Sequence, residues 1–131
     1  MVDYNKRIAE YNGRIEVCDK RILECNNLIA FYHTRITSCI TKISDDNGLI
    51  TTYTRKMTSA NKPKRNYEEL IVSRQNRITI NSKQIGNCHK KIELINKRIN
   101  IYKKRITADK DIITLFNKKI RLKAIINKIC I

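Results

Sequence analysis

The sequence has no long apolar run. The longest runs without a polar residue, such as LIAF at positions 28–31, are four residues, whereas a transmembrane helix needs about 20. The N-terminal segment MVDYNKRIAE also lacks the apolar core of a secretory signal. The sequence therefore predicts a protein that is not secreted, has no membrane span, and works inside a cell or inside a virus particle.

The motifs of the common enzyme classes are also absent. The chain has no GxGxxG or GxxxxGK[ST] loop for nucleotides, no HExxH metal motif and no GxSxG nucleophile turn. The helical pattern described below predicts paired helices, which offer no concave pocket for a substrate. We therefore expect no enzymatic activity, no catalytic residues and no cofactor.

Acidic residues are scarce relative to basic ones. Asp and Glu number 12 against 28 Lys and Arg, which gives a net charge of +16. Residues 61–131 hold nineteen basic and five acidic residues, whereas residues 1–60 hold nine and seven. A charge of this size favours an acidic partner or a polyanion, and the second half of the chain is the part expected to face it.

One heptad register runs through the whole chain. It is already visible in KRIAEYNGRIEVCDKRILEC, residues 6–25, where Arg-Ile recurs every seven residues. When Ile8 is taken as position a, fifteen of the eighteen a positions from residue 8 to residue 127 are Ile, and every Tyr and Cys lies at d. A sustained apolar period of 3.5 residues is typical of helices that supercoil around a partner.

Helix-breaking residues are rare, and they divide the chain in two. The one proline, Pro63, lacks the amide hydrogen that a helix interior needs and disfavours helix in the residue before it. Asn66, with Glu69 three residues later, predicts an N-cap and capping box. We predict helix one over 1–59 with a possible kink at 44–48, a linker over 60–66, and a basic helix two over 67–131 with an apolar C-terminal overhang.

Two long heptad-repeat helices joined by a short polar link favour an all-α antiparallel coiled-coil hairpin. Pairing residues whose numbers sum to 124 brings apolar residues together along most of the length. The same counting puts Asp46 opposite Ile78 and Ile50 opposite Arg74, which predicts a looser end near the turn. A parallel homo-oligomeric coiled coil is the alternative, because Ile at a also permits it.

The five cysteines are predicted to be structural. Cys18 and Cys25 are seven residues apart, about 10 Å along a helix, and no CxxC pair exists, so we predict no metal site. Buried d-position thiols act as small apolar groups. A zinc site in which Cys88 and His89 meet His33 in a folded hairpin is the weaker alternative.

The g positions carry mostly Lys and Arg, while the e positions hold few acids to match them. Unmatched cations at this spacing favour neutralisation from outside, by phosphates or by an acidic protein surface. No helix-turn-helix or zinc-finger motif indicates base readout. The expected polyanion-binding or acidic-partner residues are Arg21, Arg35, Lys91, Arg98, Lys103, Arg105 and Lys119.

Helix two carries a further apolar row, one position before d, which makes its apolar stripe wider than one partner helix needs. The expected protein-docking residues are Ile80, Leu94, Ile101, Leu115, Leu122 and Ile129. The sequence thus predicts a non-enzymatic structural coiled-coil protein, a spacer, clamp or cement in a large assembly such as a virus particle or a ribonucleoprotein. Its partners would be other protein subunits of that assembly. A non-specific nucleic-acid-binding architectural protein is the alternative.

All five thiols should be free, since every cysteine lies at d and a reducing compartment leaves such thiols unpaired. Titration of the unfolded, non-reduced protein with a thiol reagent should find five reactive groups per chain. A smaller number, or bound zinc by elemental analysis, would contradict the assignment.

Overall fold

Two long helices make up almost all of the described chain. The computed structural model describes residues 3–59 and 64–129. Helix α1 spans Tyr4–Thr58 and helix α2 spans Lys64–Ile129, with no strand in these ranges. The chain is therefore all-α, with two helices that pack against each other, which confirms the predicted fold class at this level.

The start of α1 is fixed by Asp3. The backbone amide of Lys6 donates to Asp3 Oδ1 at 3.1 Å, and the amide of Arg7 donates to the Asp3 carbonyl at 3.2 Å. A carboxylate in this position satisfies an amide that has no partner inside the helix. Along both helices, threonine hydroxyls donate to backbone carbonyls four residues earlier, as Thr34 does to Ala30 at 3.1 Å. This back-bonding accommodates a polar β-branched residue on a helix.

One helix boundary differs from the predicted one. Helix α1 itself continues through 44–48, where a kink was predicted as possible. Helix α2 begins at Lys64, three residues before the predicted start at 67, so Asn66 lies inside the first turn. Glu69 pairs with Arg65 Nε at 3.8 Å, an i,i+4 ion pair that supports this first turn. The predicted break at Pro63, the rest of the linker at 60–62, and Cys130 at the C-terminal overhang lie outside the described residues.

Burial repeats with the heptad. Among the described residues, every side chain that is at least partly buried lies at a or d, except Leu49 and Ile112 at g. Conversely, only three described a or d positions are exposed: Lys64, Lys123 and Asn127. All three are polar and lie at the ends of α2, so the buried seam of α2 runs from Tyr67 to Ile120.

One compact unit comprises residues 28–94. Its core is formed by Ile36, Cys88 and Ile92, with partly buried apolar side chains packed around them, namely Ile29, Tyr32 and Ile85. Nearer the end of α1, the rings of Tyr53 and Tyr67 lie 6.1 Å apart. In this unit Ile36 thus packs with Cys88 and Ile92, whereas Tyr53, later in α1, lies against Tyr67, earlier in α2.

The other compact unit comprises residues 1–27 and 95–131. The Phe116 ring lies 5.5 Å from the Tyr4 ring and 5.9 Å from the Tyr11 ring. The buried apolar residues of this unit are small or medium in size: Cys18, Cys25, Ile95 and Ile99. Its core is therefore a narrow seam of Ile and Cys, closed near the chain ends by an aromatic cluster.

Truncation of a seam isoleucine should cost far more stability than truncation of an exposed one. Ile92 is 9% exposed, and Ile92→Ala should lower the free energy of unfolding by roughly 2–5 kcal/mol. Ile101 is 51% exposed, and Ile101→Ala should change it by less than about 0.5 kcal/mol. Urea unfolding followed by circular dichroism measures both, and equal losses would contradict the assignment of the seam.

Candidate interaction surface

Many of the basic g residues lie over aromatic rings. Arg14 lies 4.9 Å from the centre of the Tyr11 ring, and Arg105 lies 5.7 Å from that of Tyr102. In both pairs the ring is at d and the cation at g, three residues later on the same helix. A cation over an aromatic face is worth about 0.5–1 kcal/mol at an exposed site, so these arginines have a partner within the chain.

Two further cations reach rings on the other helix. Lys91 Nζ lies 5.2 Å from the centre of the Tyr32 ring, and Lys119 Nζ lies 5.7 Å from that of Tyr4. Arg35 lies 5.8 Å from the ring of Phe31 at c. The tyrosines therefore serve both the seam and these cations, and only the first role was predicted. The Tyr-x-x-Arg spacing of Tyr11 with Arg14 and of Tyr102 with Arg105 could have indicated the second role.

The seven predicted polyanion-binding residues therefore fall into two groups. Arg35, Lys91, Arg105 and Lys119 contact aromatic rings. Within the described part of the chain, Arg21, Arg98 and Lys103 form neither an ion pair nor a ring contact. Of the seven, these three are the cations to which the other described residues offer no such partner.

The seam also contains a buried carboxylate in the later part of α1. Asp46 is 2% exposed. Arg74 Nη1 donates to its Oδ1 at 3.1 Å, and Arg77 Nε lies 3.7 Å from its Oδ2. The predicted pairing put Asp46 opposite Ile78 and Arg74 opposite Ile50. That interpretation missed the ion pair, because a long arginine side chain reaches along the seam past the residue directly opposite.

A second buried carboxylate lies in the unit that contains both chain ends. Asp109 is 3% exposed, and Arg14 Nε lies 3.4 Å from its Oδ2. Asp109 lies at d when the heptad is counted from Ile8, but it was not among the predicted residues. Asn81 is a third buried polar residue of the seam, 8% exposed, and its Nδ2 donates to the Arg77 carbonyl at 3.1 Å.

The predicted docking residues of α2 are all exposed. Between 50% and 77% of the surface of each remains accessible, so α1 does not cover this row: Ile80, Leu94, Ile101, Leu115, Leu122 and Ile129. On α1, Val17 and Phe31 occupy the same heptad position and are 53% and 54% exposed. From Ile80 to Ile129, six of the eight c positions of α2 thus carry a large aliphatic side chain outside the buried seam, and Asn87 and Ala108 are the exceptions.

An open groove of about 460 Å³ is lined by both helices in the unit of residues 1–27 and 95–131. From α1, Val17 at c, Arg14 at g and the acidic Glu10 line it. From α2, Arg105 and Asp109 line it. The groove therefore combines an apolar side chain with charges of both signs.

The described residues form no group of three or more His, Cys, Asp or Glu side chains suited to a metal ion. Cys18, Cys25, Cys39 and Cys88 are free and buried. Cys88 packs in the apolar core with Ile36 and Ile92. Over the ranges 3–59 and 64–129, neither helix has a stretch both long and apolar enough to cross a membrane.

Comparison with protein-family models, with curated proteins and with solved structures finds no match to this chain. The residues and their geometry are therefore the basis for a functional proposal.

Removing only one partner of the buried pair near the turn should be harmful, and removing both should be tolerated. Arg74→Met leaves a buried carboxylate with only Arg77 nearby, and should cost stability towards the lower end of the roughly 3–5 kcal/mol typical of a broken buried pair. Asp46→Leu combined with Arg74→Met should cost much less or increase stability. Urea unfolding of the wild type, both single variants and the double variant measures the coupling, and additive losses would show that the pair is not coupled.

Proposed function

We propose that this chain is a non-enzymatic structural protein, an antiparallel coiled-coil hairpin that serves as a spacer, clamp or cement in a large assembly. A virus particle, of which the chain would be a minor structural component, or a ribonucleoprotein would suit this role. The observation that carries the proposal is the exposed heptad row from Ile80 to Ile129 on α2. Its residues lie on a helix whose buried seam is already occupied.

The contacts within each unit favour the hairpin over the parallel homo-oligomer. Cys39 Sγ lies 3.5 Å from Gln84 Oε1, and Asp46, later in α1, pairs with Arg74, earlier in α2, which supports helices of opposite direction. In a parallel, in-register dimer, d faces d. Asp46 and Asp109 would then each be buried against the same residue of the other chain. Burying two carboxylates side by side without a paired cation is very costly.

Apolar docking would hold the chain in the assembly, and charge would select the partner. Full burial of one Ile or Leu side chain is worth roughly 1.5–3 kcal/mol. An exposed ion pair is worth only about 0–1 kcal/mol. Six exposed aliphatic residues in one row therefore outweigh the flanking cations as a source of affinity. A structural role of this kind would place the chain inside a cell or inside a virus particle.

A non-specific nucleic-acid-binding architectural protein is the second candidate. The net charge of +16 supports it, as do Arg21, Arg98 and Lys103, which lack partners among the described residues. Phosphate binding of this kind weakens steeply with salt, with a slope of log K against log salt near −0.9 for each phosphate neutralised. Apolar docking does not share this dependence, so salt separates the two candidates.

The substitutions Ile101→Asp and Arg105→Glu distinguish docking from charge. Ile101→Asp should abolish co-sedimentation of the tagged chain with heavy complexes from its source cells at any salt concentration. Arg105→Glu should weaken co-sedimentation mainly at low salt, because screening removes most of the charge effect at high salt. Sucrose-gradient fractions, probed for the tag, measure both effects.

Val72→Asp is the matched control. Val72 lies on the same helix and is 53% exposed, close to the 51% of Ile101, but it belongs to position b and not to the docking row. It should co-sediment like the wild type. If Ile101→Asp also co-sediments normally, the docking row is not used. If salt alone releases the wild-type chain steeply, with a slope near −0.9 for each phosphate neutralised, the second candidate replaces the first.

A further inference from the structure

The exposed row on α2 is half of a second heptad seam. From a g position the next c position is three residues on, and the next g is four further, which is the same alternation as between a and d. In the unit of residues 1–27 and 95–131, this seam consists of Arg98, Ile101, Arg105, Ala108, Ile112, Leu115, Lys119, Leu122, Ile126 and Ile129. Apolar side chains predominate, and basic ones occupy three of the g positions.

A heptad period on an exposed face has a specific structural meaning. Scattered surface hydrophobes need no explanation, but a row that keeps a period of seven follows a supercoiled helix along its length and suits another helix as its neighbour. Arg105 of the second seam also lines the open groove, together with Val17, Arg14 and Glu10 of α1. At this point both helices contribute to one concave surface, as the site of a third helix would require.

The net charge of residues 95–131 indicates which kind of partner would bind to the second seam. Residues 95–131 contain eleven Lys and Arg against two Asp. One of these, Asp109, is buried against Arg14, so Asp111 is the only exposed acid in the described part of this stretch. A second copy of the chain would bring another +16 to the face, which charge repulsion opposes. A nucleic acid would match the cations but would leave Ile101, Leu115 and Leu122 uncovered or facing phosphates.

We infer that the second seam binds an acidic amphipathic helix of a partner protein, an inference that rests on the proposed structural role. The partner helix presents apolar residues to the row of Ile101, Leu115 and Leu122, and Glu or Asp to Arg98, Arg105 and Lys119. Arg98 forms no ion pair or ring contact among the described residues. An acidic residue of the partner helix is its first partner. Arg105 and Lys119 keep one side over Tyr102 and Tyr4, which holds them beside the seam.

The inference is tested with the full chain and a synthetic peptide as long as residues 98–126. The peptide carries Leu at d, Glu at a, and Ala and Gln elsewhere. Matched probes are the same peptide with Lys in place of Glu, a poly-glutamate of equal length, and a single-stranded oligonucleotide. Binding is measured by fluorescence anisotropy of labelled probes at several salt concentrations.

The Leu/Glu peptide should bind at least about tenfold more tightly than the Leu/Lys peptide and than poly-glutamate. Ile101→Asp should weaken its binding about tenfold or more, whereas Val72→Asp should not. The substituted positions are exposed, so circular dichroism should show an unchanged helix content for both variants. Equal binding of the Glu and Lys peptides, or no effect of Ile101→Asp, overturns the inference.

Two further results would overturn it in favour of another occupant. Tighter binding of the oligonucleotide than of the Leu/Glu peptide would assign the face to nucleic acid. A chain that dimerises alone and is made monomeric by Ile101→Asp would assign it to a second copy. Failure here is distinct from failure of the proposed function. If Ile101→Asp abolishes co-sedimentation while the Glu and Lys peptides bind equally, the structural role stands and only the acidic helix is wrong.

Discussion

The apolar period of 3.5 residues is the constraint on which the rest of this structure depends. An isolated straight helix turns every 3.6 residues, so a seven-residue apolar row would drift by about 20° per heptad around it. In this chain, burial stays at a and d along both helices. Once that seam is fixed, every other position has a fixed place relative to it. The cations at g lie beside the tyrosines at d, and the aliphatic side chains at c lie one row further out.

The seam is not uniformly apolar, and its polar residues give it direction. Asp46 and Asp109 are buried at d, and each has an arginine of the other helix within 3.4 Å. Such pairs add little stability compared with apolar residues of similar size. In the proposed hairpin, however, each aspartate has its arginine within reach only when the helices run in opposite directions at the observed offset. A one-heptad slip would separate both aspartates from their arginines, so these pairs specify the alignment that a uniform row of isoleucines would leave open.

The sequence was sufficient for the helical fold, the heptad register and the exposure of the docking row, because each follows from one repeating pattern. It was insufficient for contacts that depend on the reach of long side chains. The pairing of Asp46 with Arg74 and the position of Lys91 over Tyr32 lie off the simple count of opposed residues. The start of α2 at Lys64 was missed because capping signals locate a helix end only to within a few residues. Asp109 was missed although its heptad position was readable.

The cations of this chain fall into two groups, those that contact an aromatic ring of the chain and those that do not. Tyrosine and phenylalanine rings stabilise five cations, which helps basic g positions to coexist with few acidic e positions. Arg98, a g residue without such a ring contact, lies next to the exposed apolar c row of α2. A ligand that is only charged or only apolar would match this combination only in part. The proposed role as a structural element follows from this combination.

The central claim is that α1 and α2 of one chain fill each other's seam and leave the second seam for a partner. Its most direct test is the distance between spin labels at positions 37 and 90, introduced through unnatural amino acids so that the native thiols stay intact. An antiparallel hairpin predicts a single short separation, about two helix diameters or roughly 20–25 Å, that persists when labelled protein is diluted with unlabelled chains. A short distance that disappears on dilution, or none at all, would show that the seam is filled by another chain and would contradict the account.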